Sequence, residues 1–375
     1  MANLDRRQFL RAATAATFAS AVSAIAAQLS QRVFIGSNTA DGILAFDWNP
    51  ERAELSPAGV AAPLANVDWL AVPAGRQFLF AASEVDTFNG KPAGEVASFR
   101  IENGRLLPVS ARNSASAGTC HIALDPSGRV LFSADYGGGG AACFRVRGGE
   151  LSEAVWTIRY NGHGPVASRQ QSAHAHFASY SPDGRFVYIN DLGSDVIHIY
   201  ALDAPKAEVT PMGEYKTRPG AGPRTLHFHP NARTAYCVNE LDSTVDVLEW
   251  TPAGGGLTFK SRIELLPPGD TSHSTACDTV ISRDGRTVYF ANRGNDFLYG
   301  FRADRETGAL EPIARFGCGG KTPRNFTLDP TERWMLVANQ DSNRVSVFAR
   351  DPETGVLAKK GRNFPVPAPM CILFV

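Results

Sequence analysis

Short apolar and alternating runs arrive in pairs along most of the chain, each pair hinged on a turn. The clearest pair is Cys120–Asp135, which reads Cys-His-Ile-Ala-Leu-Asp-Pro-Ser-Gly-Arg-Val-Leu-Phe-Ser-Ala-Asp. Alternation with a period of two predicts strands, and Pro followed by Gly in the link predicts a tight hairpin. The pattern returns over His176–Asp191, Arg224–Asn239, Cys277–Asn292 and Arg324–Asn339, with a weaker copy around Val72-Pro73-Ala74-Gly75-Arg76. A third run follows each pair, as in Asp195–Tyr200 and Arg344–Phe348. Helical periodicity is nearly absent.

The turn positions fall at Pro73, Pro126, Pro182, Pro230, Arg283 and Pro330, spaced by 53, 56, 48, 53 and 47 residues. Roughly 50 residues per unit, with three or four strands in each, describes the blades of a β-propeller. Two loose ends supply one more blade. Arg32–Ser37 and Gly42–Phe46 resemble the second and third strands of a unit that lacks its first, and Pro369–Val375 resembles a lone first strand. Pairing the C-terminal strand with the N-terminal strands closes the ring and removes its free sheet edges. The prediction is an all-β, seven-bladed β-propeller over residues 27–375.

Hairpin geometry gathers particular residues at one end of the ring. The first strand of each blade lines the central channel. The residue six before the turn position and those nine and ten after it therefore meet at the mouth opposite the turns. Six before stand Cys120, His176, Arg224, Cys277 and Arg324. Nine and ten after stand Asp135-Tyr136, Asp191-Leu192, Asn239-Glu240, Asn292-Arg293 and Asn339-Gln340, with Ser83-Glu84 equivalent if one residue is inserted. This reading puts the carboxylates of Asp135 and Asp191 into the mouth as well. Asn recurs at the ninth place, as a loop tie would. The tenth place varies, as expected of a ligand site rather than a packing device; the competing picture is a solvated mouth with ordinary ion pairs such as Glu240 with Arg293.

The first residues read as an address. Asp5-Arg6-Arg7-Gln8-Phe9-Leu10-Arg11 precedes an uncharged, Ala-rich stretch that ends in the small-residue pattern Ala24-Ile25-Ala26. This predicts an export signal over residues 1–26, of the twin-arginine type, recognised by the twin-arginine translocation machinery and leading to the periplasm. The whole chain balances 37 Lys and Arg against 37 Asp and Glu. Removal of residues 1–26 takes away three Arg and one Asp, leaving a net charge of −2. Neither balance suits a nucleic-acid binder that works through a basic face. No apolar run reaches the ~18 residues of a spanning helix, so no integral membrane segment is expected. The six cysteines lie at least 23 residues apart, which excludes CxxC-type metal and redox motifs, and most sit in apolar strands as buried thiols do.

Several motifs stand in register with the blades: His174-Ala-His176, Gly222-Pro-Arg224, Val238-Asn-Glu240-Leu-Asp, Ala291-Asn-Arg293-Gly and Thr322-Pro-Arg324. Together they resemble the lactonase family of seven-bladed propellers, which includes propeller-type 6-phosphogluconolactonases and carboxy-muconate lactonising enzymes. Asp135-Tyr-Gly-Gly-Gly139 and Arg169-Gln170 fit it too. The resemblance implies a catalytic group of His176, Arg224, Glu240 and Arg293; among the remaining mouth and motif residues, Glu84, His174, Arg324 and Gln340 are assigned to substrate binding. It implies a small-molecule lactone as substrate and no cofactor. Outside the cytosol, an unphosphorylated aldonolactone such as glucono-1,5-lactone fits better than the 6-phosphate. Arg283 in place of the turn Pro, and Ala232 and Glu332 in place of the turn Gly, depart from the repeat only on the far face.

These residue types suit lactone opening. Arg224 or Arg293 would stabilise the tetrahedral oxyanion, and Glu240 or His176 would deprotonate water. The preferred assignment is Glu240 as base and His176 as the acid serving the leaving ring oxygen. His174 and His176 share a strand face and could hold a metal, but a hydrogen-bonding pair is preferred and no metal is assigned. A non-catalytic binding propeller and a muconate-type lactonising enzyme are the alternatives.

Overall fold

In the computed structural model, which describes residues 31–270, 274–358 and 361–375, seven four-stranded antiparallel sheets surround a central channel. The predicted export signal lies outside the described residues. The blades begin, from the channel outwards, at Val67–Ala71, Thr119–Leu124, Ala175–Tyr180, Pro223–Phe228, Thr275–Ile281 and Pro323–Leu328, taken here as blades 1 to 6. The seventh is shared between the chain ends. Its innermost strand Pro369–Phe374 pairs with Gln31–Ser37, with Val33 opposite Phe374 and Gly36 opposite Cys371, and Ile43–Asn49 and Glu54–Ala62 follow outwards. The ring is therefore closed by backbone hydrogen bonds between the two ends. No helix among the described residues is long and apolar enough to cross a membrane.

Burial follows strand position, which explains the changing sequence pattern within one blade. The second strand of blade 2, Val130–Asp135, is buried along its whole length because neighbouring blades cover both of its faces. The outermost strand, Glu150–Arg159, alternates because solvent takes one face. Apolar side chains pack between blades in seven clusters, one at each blade-to-blade interface. Phe132 meets Tyr180 in this way across blades 2 and 3, and full burial of such a ring contributes about 1.5–3 kcal/mol. All six cysteines are buried and free.

The hairpin turns carry one left-handed residue each: Arg76, Gly128, Gly184, Ala232, Gly285 and Glu332, with φ between 49° and 73°. In blade 1 that residue is Arg76 rather than Gly75. Its turn is displaced by one residue from the register that Pro73 suggests, with consequences at the opposite mouth. There a second repeated device appears. Asp195, Ser243, Asp296 and Asn343 all have positive φ, a conformation that Asn and Asp tolerate better than most residues. Their side chains tie the entry of the following blade. Asp195 accepts from the N–H of Gly220 and Gly222, Asp296 from Thr322 and Asn343 from Ala368, while the Ser243 and Ser274 hydroxyls pair at 2.9 Å.

Candidate active site

Every innermost strand contains a bulge at the same place. Pairing with the second strand steps over Asp68, Cys120, His176, Arg224, Arg324 and Met370 in six blades, and over Cys277-Asp278 in blade 5. An unpaired bulge residue is re-aimed relative to its neighbours. Asp68, Cys120, His176, Arg224, Arg324 and Met370 all line one small cavity in the channel. The sequence count located four of these six; Asp68 and Met370 escaped it.

Glu240 lies at the centre of the charged group. It is almost wholly buried, and three arginines converge on its carboxylate. Arg224 Nε donates to Oε2 at 2.8 Å, Arg293 Nη2 lies 2.8 Å from the same oxygen, and Arg169 Nη2 donates to Oε1 at 2.5 Å. Burial alone would favour the neutral acid. Arg293 and Arg224, helped by His176 and Arg169, outweigh it and hold the carboxyl well below the ordinary carboxylate range. Arg224 also donates through Nη1 to the carbonyl oxygen of Cys277, so two of its three nitrogens are engaged.

Local structure explains how the arginines arrive. Gly222 (φ 65°) turns the chain into Pro223-Arg224, and a Cβ there would lie 2.6 Å from Leu241. Asp195 Oδ1 accepts from Gly222 N–H and from Gln170 Nε2, so one carboxylate fixes both the approach to Arg224 and the loop bearing Arg169. Gln170 is fully buried and also donates to the Leu192 carbonyl. That pinned loop lets Arg169 reach from the linker between blades 2 and 3 to Glu240 on blade 4.

His176 lies beside this group, buried, with Nδ1 bonded to nothing in the protein. Burial, reinforced by Arg224, lowers its pKa well below the ordinary histidine value, so the ring is neutral near pH 7. This reverses the preferred sequence assignment. A carboxylate held by three guanidiniums is a very weak base, and a neutral imidazole is not a proton donor of useful strength, so Glu240 as base and His176 as acid do not fit the electrostatics. His174 does not join His176 around a metal. Its Nδ1–H donates to the Tyr136 carbonyl at 2.8 Å and its ring stacks on Tyr136, with centroids 4.5 Å apart. The Tyr136 and His176 rings also meet at 77° with centroids 5.5 Å apart, and the Tyr136 hydroxyl accepts from Arg169 at 3.1 Å. Among the described residues, no three His, Cys, Asp or Glu side chains are grouped to hold a metal ion.

A second charged pair completes the mouth. Arg324 Nη2 contacts both oxygens of Asp68, at 3.0 and 2.8 Å, and lies 3.9 Å from Glu84 Oε2. Glu84 is pushed up to about 7 by burial first and by Asp68 second. Gln340 opens a single 3-10 turn, with its backbone N–H donating to the Thr322 carbonyl. The ninth-place carboxylates do not act as the sequence reading placed them. Asp135 accepts from Thr119 and Ser116, and Asp191 from the N–H groups of His174 and Gly193; both shape loops rather than face the mouth. Arg169 and Tyr136 belong to the charged group, and their signal was the Arg-Gln pair and the Asp-Tyr-Gly run, which position counting alone does not rank.

Comparison with known proteins bears on the family and the fold. The family model described as "Lactonase, 7-bladed beta-propeller" matches residues 32–374. A Bacillus subtilis protein named 6-phosphogluconolactonase is 30% identical over 348 residues, covering 91% of this chain and 97% of its own. A 6-phosphogluconolactonase from Formosa agariphila is 31% identical over 339 residues, covering 87% and 94%. Among solved structures, the Pseudomonas aeruginosa periplasmic gluconolactonase superposes with a TM-score of 0.87 at 30% identity, covering 92% of this chain and 99% of that one.

Proposed function

The chain belongs to the lactonase family of seven-bladed β-propellers, and on that basis we propose that it hydrolyses a sugar lactone, an aldonolactone such as glucono-1,5-lactone, to the open-chain acid. The observation that carries this reading is a neutral, buried imidazole beside a cluster of guanidiniums at one mouth. His176 takes a proton from water as the oxygen attacks the lactone carbonyl. Arg293, whose side chain is more exposed at the mouth than that of Arg224, meets the developing oxyanion. The imidazolium then returns its proton to the leaving ring oxygen, so one residue serves as base and then acid. Glu240 keeps the three arginines in place and offsets the charge that His176 acquires.

The charge balance favours an acidic product. Four guanidiniums, of Arg169, Arg224, Arg293 and Arg324, stand against Glu240, Asp68 and a Glu84 that is partly protonated near neutral pH. We place the mature protein in the periplasm, on the Arg6-Arg7 signal. The likeness to a periplasmic gluconolactonase supports an unphosphorylated substrate.

The test is acid release in a pH-stat from glucono-1,5-lactone and from its 6-phosphate, with spontaneous hydrolysis subtracted. The proposal expects a clear enzymatic excess on the unphosphorylated lactone, abolished in His176→Gln. No excess over background on either compound would sink it.

A further inference from the structure

Beneath the ring of bulge residues lies a second layer of channel side chains. Trp69, His121, Phe177 and Thr225 each follow a bulge residue directly, and with the bulge residues they line a cavity of about 10 Å³, measured as space open to the centre of a water. That is room for about one water molecule, which also needs two to four polar partners. Three side-chain atoms of the lining residues are buried and have no partner in the protein: His121 Nε2, His176 Nδ1 and Thr225 Oγ1. Groups so buried are ordinarily bonded, so three around one small space call for a shared partner.

The hydrogens can be placed. Ala178 N–H donates to His121 Nδ1 at 3.2 Å, so that nitrogen carries the lone pair and Nε2 carries the proton. Burial lowers the His121 pKa well below the ordinary value, with His227 and Arg224 adding to it, so the ring stays neutral. Its stack on Phe177, with centroids 3.8 Å apart, and its contact with Trp69 fix the plane. His176 has Arg224, Arg293 and Arg324 as cationic neighbours, Glu240 as the anionic one, and the Cys120 thiol donating to its carbonyl oxygen. Arg293, which does not line the cavity, favours the lone-pair end of the neutral imidazole at the mouth, and the unpartnered Nδ1 is left as the N–H end.

We infer that this cavity is a site for one ordered water that accepts from His121 Nε2–H and His176 Nδ1–H and donates to Thr225 Oγ1, making His121 and Thr225 positioning residues that hold His176 in the Nδ1–H tautomer with Nε2 free as the base. The inference rests on the reading of His176 as proton acceptor. It adds what orients that acceptor: a chain running from the second channel layer, not a carboxylate partner.

The experiment is nitrogen-15 NMR of the full chain labelled at histidine, with the His176 signals assigned by their loss in His176→Gln. Wild type should show His176 as the Nδ1–H tautomer. Thr225→Val removes a hydroxyl at nearly constant volume, and His121→Phe keeps the ring stack without the N–H. Each should shift His176 toward the Nε2–H form while thermal denaturation shows a folded protein. In parallel, kcat on the lactone should fall about tenfold with KM unchanged. A merely structural Thr225 would leave both tautomer and kcat as in wild type, and that result overturns the inference. So does an Nε2–H tautomer in wild type. The spectra need no turnover: a tautomer shift without any lactonase activity would uphold the water site and reject the lactonase reading.

Discussion

Arg324 holds both carboxylate oxygens of Asp68 through one guanidinium nitrogen, across 256 residues of sequence and past an intervening blade. Blade 7, between them, contributes Met370 to the channel, so no polar bulge residue competes for the pair. Asp68→Asn should leave Arg324 partly unpaired beside Glu84. A fully buried broken pair costs about 3–5 kcal/mol, and the 17% exposure of the Arg324 side chain reduces this to about 1–3 kcal/mol. Chemical denaturation measures the loss. If Arg324 only anchors substrate, kcat should stay within about threefold while KM changes.

Glu240 makes the stronger prediction. Glu240→Gln keeps the shape but leaves Arg169, Arg224 and Arg293 without the charge that gathers them. Activity should fall at least about 100-fold, and stability by about 3–5 kcal/mol, because the side chain is only 2% exposed. Arg169→Lys should give a milder loss, since it removes one arm and leaves two. Steady-state kinetics on the pair, with urea unfolding alongside, checks both. Equal kcat in wild type and Glu240→Gln would separate the arginine cluster from catalysis.

The seven blades were legible because each hairpin repeats its own turn chemistry, and five mouth positions followed by counting from the turn Pro. The count failed where the Pro is not in register. In blade 1, Pro73 sits one residue early relative to the bulge, so the count lands on Val67 instead of Asp68; the left-handed residue, Arg76 rather than Gly75, records the same offset. The proton roles were not legible at all. Sequence places Glu240 and His176 together, but only the number of guanidiniums on one and the burial of the other set which holds a proton. Asp195 was invisible for a related reason, because its work is to bond the N–H groups of Gly220 and Gly222 in the next blade.

The turn substitutions offer a test away from the site. Ala232 takes φ 53° where blades 2, 3 and 5 use Gly, a conformation costing a non-Gly residue about 1 kcal/mol. The added chain entropy takes back about 0.4–1 kcal/mol of this, so Ala232→Gly should be neutral or stabilise by no more than about 0.6 kcal/mol, with no change in kcat. Glu332→Gly relieves a similar angle but loses the bond from Arg283 N–H to Glu332 Oε1, so it should be close to neutral. Melting temperatures of the two variants decide between angle strain and side-chain bonding.

Export can be tested separately from catalysis. Changing Arg6 and Arg7 together to Lys should trap the unprocessed chain, still folded and active, in the cytoplasm. Fractionation with an activity assay on each fraction reads this directly. Unchanged appearance of the mature form outside the cytoplasm would remove the twin-arginine reading without touching the fold or the site.

Stability against pH should carry the signature of Glu84. Its carboxyl is pushed from 4.5 up to about 7, chiefly by burial, so the folded protein binds a proton that the unfolded chain has lost between those values. The sign follows: this contribution is fully present below about pH 4.5 and disappears as pH rises through about 7. Asp135, likewise pushed up to about 7 by burial, adds a slope of the same sign. Glu240 works in the opposite direction, but its low pKa confines its loss to strongly acidic solution. The buried imidazoles of His121 and His176, held below their ordinary value, oppose this slope until the unfolded chain loses its histidine protons at about pH 6.5. The decline in melting temperature should therefore appear only above about pH 6.5. Glu84→Gln should flatten that decline and Asp135→Asn should flatten it independently. Slopes in Glu84→Gln and Asp135→Asn identical to wild type would show that both carboxyls ionise as they do in the unfolded chain.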